Sequence, residues 1–361
     1  MYIGLIGLHN SGKSTLFDVL TSHISATQER NIVPRRGILV FPDQRLEFIA
    51  KLYNSKKTTH PHAEIIDLPS MRTIKTSADS SESALLEEVK NCRALIQIVR
   101  QFGNPAVPPP GSGIDPLKEK SVLDAELILL DLAIVENRLE RIEQMRHKKP
   151  DFVQPGEPEL LTKCRDTLEK EEPLLSMDLS PDEEKILRGY QFITLKPRIT
   201  VINLDENEIQ NSASWIYESE SAFPVRKGTF VPVCCQAECE LLEFTDEKER
   251  DEMSTELGIT RSGKLEIIER LMQSMNLIRF LTGNPAEAHS WIIQKGDSAI
   301  TAAGAIHTDI ERGFIRAEVV GYEDLLSYGS EARCKEAGKY RLEGKQYVVQ
   351  DGDVIYFRFN V

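Results

Sequence analysis

The chain has 361 residues, a formal net charge of −13 at pH 7 and 40% hydrophobic residues, enough apolar material for about two or three domains without covalent staples. The negative charge excludes a basic coat suited to wrapping nucleic acid, although a local basic patch is compatible with it. No apolar run reaches the roughly 18 residues of a membrane helix, residues 1–8 lack the charged start and cleavage site of a signal peptide, and the six cysteines contain no C-x-x-C pair, so a soluble cytoplasmic chain without zinc site or disulfide framework is expected.

Residues 2–6 form a short apolar run that predicts a buried strand. A Gly-containing loop follows, and residues 14–20 have helical periodicity. Further short apolar runs at 37–40, 64–67, 94–99, 199–203 and 230–233, interleaved with helical segments, predict an open α/β sheet. Between the third and fourth of these later runs the strand pattern stops. There Ala125, Ile128, Leu132, Val135, Leu139 and Ile142 recur at spacings of three and four, a heptad seam. A Pro/Gly break at 150–158 separates it from a second helix with Leu161, Cys164 and Leu168 on one face, which predicts an antiparallel helical hairpin inserted into the sheet domain. Residues 121–190 carry 10 Lys/Arg against 17 Asp/Glu, so this arm is acidic, a solvated face or a docking surface. From about residue 278 short alternating runs at 290–293, 314–320, 347–349 and 354–359 predict a small, mostly β domain.

Residues 7–16, GLHNSGKSTL, have the form G-x-x-x-x-G-K-S-T between a predicted strand and helix. Glycines there let backbone N–H groups converge on a phosphate, and the helix presents its positive end to the same anion. Asn10, Ser11, Gly12, Lys13, Ser14 and Thr15 would wrap the phosphates of a nucleotide. Lys13 would bridge the β- and γ-phosphates as the catalytic cation, and the Ser14 hydroxyl would ligate Mg²⁺. Asp67, ending a strand in Asp67-Leu68-Pro69-Ser70, is placed to hold the same ion through water. Ser70 stands where a γ-phosphate-sensing glycine is usual, and Met71 where many GTPases carry a water-orienting Gln, so hydrolysis is expected to be slow. Asn203-Leu204-Asp205-Glu206 follows a strand at the place of the base-reading N-K-x-D sequence. It lacks the Lys and ends in a longer acid, which predicts adenine tolerance. The following loop, including Cys235 and Gln236, would support the base through its backbone.

Taken together, GLHNSGKSTLF, PDQRL, DLPS, NLDE and the C-terminal HTDIERGFIRAEVVGYEDLL and KEAGKYRLEGKQYVVQDGDVIYFRFNV resemble the YchF/Obg-like ATPase family of P-loop proteins over essentially the whole chain. The resemblance implies a P-loop domain (1–120 and 191–277) interrupted by a helical coiled-coil arm (121–190) and followed by a β-grasp TGS domain (278–361). It implies binding of ATP at least as well as GTP, with Asn203 and Glu206 contacting the base, and association of a monomer with ribosome or RNA through the arm and the TGS domain. The chain departs from the family at Ser70 and at Asn31, which aligns with the first-switch Thr that closes on Mg²⁺. A non-hydrolysing nucleotide-binding scaffold is the alternative that these departures leave open.

Overall fold

The apolar runs of the N-terminal part become strands β1 (Tyr2–Gly7), β2 (Arg35–Val40), β4 (His62–Asp67), β5 (Ala94–Gln101), β6 (Arg198–Leu204) and β7 (Phe230–Val233), with a further short strand β3 (Lys57–Thr59) between β2 and β4. The structure is a computed structural model that describes residues 1–23, 34–69, 80–105, 107, 113–145, 153–223 and 228–360. Two compact units divide the chain: Met1–Gly37 with Glu64–Leu271, and Ile38–Ala63 with Met272–Val361.

In the first unit the sheet order is β2-β4-β1-β5-β6-β7. β1 pairs in parallel with β4 and β5, β5 with β6, and β6 with β7. Every residue of β6 is buried, as are all but the last of β5. Parallel strands covered on both faces read as unbroken apolar runs, which is why local sequence was enough to find them. The crossover helix Lys13–Thr21 buries Leu16, Phe17, Val19 and Leu20.

The long helix Pro116–Met145 changes partner along its length. Leu123 and Leu127 join the core of the sheet beside Val99 and Ile202, whereas Ile128, Val135 and Ile142 pack with Leu161, Cys164 and Leu168 of the helix Glu157–Leu168. Ala125, expected in the heptad seam, is exposed, because at its level the helix turns the Leu123/Leu127 face to the sheet. Buried Asp131 fixes the returning chain: it accepts from the backbone N–H groups of Ile193 (3.0 Å) and Thr194 (2.7 Å) and from the Thr194 hydroxyl (2.7 Å). Burial raises its carboxyl above the ordinary range despite these donors.

The second unit adds β8 (Leu277–Gly283), β9 (Glu287–Gln294), β10 (Phe314–Gly321), β11 (Arg341–Glu343) and β12 (Asp353–Phe359). Its sheet runs β11-β10-β12-β8-β9-β3. The helix Ala299–Ile306 packs with Phe280, Val319 and Phe357, and the helix Arg45–Tyr53 packs through Leu46 and Ile49 with Leu281, Val320 and Val354. The short helices Thr308–Arg312, Tyr322–Tyr328 and Glu331–Glu336 make the unit mixed rather than mostly β. Residues 347–349, expected as a strand, contribute one isolated bridge between Val348 and Ser298. Their backbone bonds go to the turn before Ala299–Ile306: the Ala299 N–H donates to the Tyr347 carbonyl (2.8 Å) and the Val349 N–H to that of Asp297 (3.0 Å). Among the described residues no helix is long and apolar enough to cross a membrane.

Candidate functional site

The loop from β1 to the helix Lys13–Thr21 is shaped by two left-handed residues, Asn10 (φ 65°) and Gly12 (φ 89°). Left-handed residues spaced along a loop in this way turn backbone N–H groups toward one side and make a concave anion site. Gly12 is required twice over: an L side chain is strained at its φ, and a Cβ there would lie 2.1 Å from Asn203 Nδ2. Gly12 is also the N-cap of the helix and supplies no side-chain cap, so the first-turn N–H groups keep donor capacity for a ligand. Ser11 is fully buried and its hydroxyl has no hydrogen-bond partner among the described residues, the kind of orphaned polar atom that an oxyanion-binding loop can hold in reserve.

Charged side chains gather beside this loop. The Lys13 ammonium pairs with Asp67 Oδ1. Arg35, the first residue of β2, donates to Asp67 Oδ2 through Nε (3.1 Å) and Nη2 (3.0 Å), to Asp18 Oδ1 through Nη1 (3.3 Å) and to the Ser14 carbonyl through Nη2 (3.2 Å). Its guanidinium also lies over the Phe17 ring at 4.5 Å. Ser14 is exposed and Thr15 half-buried at the start of the helix.

Across the strand ends, Asn203 Nδ2 donates to the Ser11 carbonyl at 3.0 Å, and Asn203 Oδ1 accepts from the Cys235 N–H at 3.1 Å. Both ends of this buried amide are therefore engaged. Leu204 is buried beside it. Glu206 is exposed and opens the short helix Glu206–Asn211, while Gln236 is exposed and donates to Glu240 of its own helix at 2.7 Å. Cys235 is buried, which pushes its thiol well up, so its backbone faces this cluster while its sulfur stays protonated and unreactive.

Two residues the sequence did not single out belong to the same neighbourhood. Arg35 lies just before the apolar run 37–40, outside the residues that pattern marks as a strand. Phe102 approaches Gly12, with Cε1 3.6 Å from where a Cβ would stand. Arg100, fully buried, braces Phe102 by donating to its carbonyl (3.0 Å) and to that of Val107 (2.8 Å). Asn31, Ser70 and Met71 lie outside the described residues.

Residues 277–360 match the family model YchF-GTPase_C, described as a protein of unknown function (DUF933). The chain is 35% identical to the protein named Ribosome-binding ATPase YchF of Bacillus subtilis (strain 168), covering 99% of each. It is also 35% identical to the protein of the same name from Escherichia coli O157:H7, again over 99% of each. The structure of the Schizosaccharomyces pombe YchF GTPase matches with a TM-score of 0.83 at 28% identity, over 99% of this chain and 97% of that one.

Proposed function

The chain belongs to the YchF family, and on that premise we propose that it binds ATP, and GTP less selectively than a dedicated GTPase does, hydrolyses it slowly and acts with the ribosome. The observation that carries the proposal is the uncapped helix start at Gly12, with Lys13 at its first position and Asn203 bracing the loop from behind.

In this reading Asn10, Ser11, Gly12, Ser14 and Thr15 direct their N–H groups at the phosphates. Lys13 exchanges Asp67 for the β- and γ-phosphate oxygens, where its charge stabilises the transferred phosphoryl group. The Ser14 hydroxyl and the Asp67 carboxylate are the oxygen donors that would hold Mg²⁺, and a hard cation suits such donors. Bound there, Mg²⁺ would neutralise charge developing on the phosphates. Asn203 is occupied in holding Ser11 and Cys235, so discrimination of the base falls to exposed Glu206 and to the backbone at Cys235 and Gln236. Residues 121–190, as a helical arm, and 278–361, as a TGS domain, would meet ribosome or RNA, in a cytoplasmic monomer.

Purified protein mixed with ATP and Mg²⁺ should release phosphate over hours, and Lys13→Ala should abolish that release. Unchanged release from Lys13→Ala would overturn the assignment. Calorimetric titration with ATP, ADP, GTP and GDP tests the base: a strong preference for guanine nucleotides would refute the role given to Glu206.

A further inference from the structure

We propose that Arg35 is a second cation built into the phosphate site, one that competes with a divalent metal for Asp67 and leaves nucleotide binding only weakly dependent on Mg²⁺. This rests on the nucleotide-binding reading above and goes beyond it.

The geometry is that of a held group rather than a surface charge. Arg35 is fixed on four sides, by Asp67, Asp18, the Ser14 carbonyl and the face of Phe17. Asp67 itself is buried, with a protein cation on each oxygen: Lys13 on Oδ1 and Arg35 on Oδ2. The formal charges of Lys13, Arg35, Asp18 and Asp67 therefore cancel without any added ion.

A nucleotide changes this balance in a defined way. Once Lys13 turns to the phosphates, Asp67 and Asp18 keep Arg35 between them, and the arginine cannot lose its proton. Mg²⁺ in phosphate sites is bound through one or two carboxylates and gives up its waters reluctantly. To use Asp67 it must first displace a guanidinium that is also held by Asp18, the Ser14 carbonyl and the Phe17 ring. In a site without that arginine, two neighbouring carboxylates would face a polyanionic ligand with Lys13 already engaged by the phosphates, and a metal would have to offset the repulsion that remains.

The test uses the full chain and the variants Arg35→Gln and Arg35→Lys. A fluorescent ATP analogue is titrated in excess Mg²⁺ and again in EDTA, and thermal unfolding of nucleotide-free protein is followed with and without millimolar Mg²⁺. Wild-type affinity should change by no more than about threefold on metal removal, whereas Arg35→Gln should weaken by about tenfold or more, the worth of one hydrogen bond to a charged group. Arg35→Lys should recover part of that difference. In the unfolding arm, Mg²⁺ should stabilise Arg35→Gln and leave the wild type unmoved. A wild type that loses tenfold or more in EDTA, or a Gln variant with the wild-type response to Mg²⁺ in both arms, overturns the proposal. If the analogue binds to none of the three proteins, the nucleotide reading is what fails, and the unfolding arm still decides the place of Arg35.

Discussion

Asn203 ties the end of β6 to the phosphate loop, donating to the Ser11 carbonyl across 192 residues of sequence. Its other amide atom accepts from the Cys235 N–H, so one side chain joins three loops at the ends of parallel strands. Ligands of open α/β sheets gather at such strand ends.

Replacing Asn203 with Ala should leave two buried backbone groups unpaired, at a cost of about 1–3 kcal/mol each, and nucleotide affinity should fall with stability. Asn203→Asp separates the two bonds, because a carboxylate still accepts from Cys235 but repels the Ser11 carbonyl. Gly12→Ala should damage the same junction from the other side, since its methyl would fall on Asn203 Nδ2. Urea unfolding alongside nucleotide titration checks the series, and an Asn203→Ala protein of wild-type stability would refute the tether.

Asp131 is expected to govern how firmly the helical insertion joins its unit. Removing its side chain strands the N–H groups of Ile193 and Thr194, so Asp131→Ala should cost about 2–5 kcal/mol. Its folded-state pKa is raised, so the folded state binds the proton more readily than the unfolded chain does. The contribution of this group is therefore fullest below the unfolded value of 3.8 and declines as pH rises through the folded one. Denaturant midpoints measured from pH 4 upward should show that decline in the wild type and lose it in Asp131→Ala.

Asp43, in the second unit, should behave in the opposite sense. Burial alone would raise its pKa, but the Arg45 guanidinium (2.8 and 2.9 Å) and the Ser290 hydroxyl (2.9 Å) outweigh that and hold it below 3.8. A lowered carboxylate stabilises the fold above its unfolded pKa and ceases to do so as pH falls through the folded one. Acid unfolding followed by the fluorescence of Trp291, which lies in the same unit, should flatten below about pH 4 in Asp43→Asn relative to the wild type. Identical acid limbs would rule out this role.

Local sequence carried the parallel strands and the phosphate loop because both are local facts: an apolar run needs no partner to be recognised, and the loop's glycine and lysine stand within a few residues of each other. It could not carry what depends on distant partners. Nothing near Asn203 announces Ser11, and Arg35 becomes part of a site only when β2 brings it to Asp67. Ala125 fits a heptad as well as Ile128 does, and only the sheet beside it sets the two apart. Val348 and Val349 look like strand residues, yet their neighbours offer a turn rather than a ladder.

Residues 38–63 leave one sheet between β2 and β4, supply β3 and the helix Arg45–Tyr53 to the other unit, and return. Synthesis from the N-terminus thus delivers Leu46 and Ile49 long before Leu281, Val320 and Val354, the residues that cover them. The early segment lacks its covering residues until the chain beyond Leu277 has been made. Fragment boundaries follow as well: a piece beginning at Met272 would bare the edge of β9 that β3 pairs with, and a piece ending at Leu271 would leave the Leu46 and Ile49 face of the helix Arg45–Tyr53 without the residues that cover it, so both should aggregate where the intact chain does not.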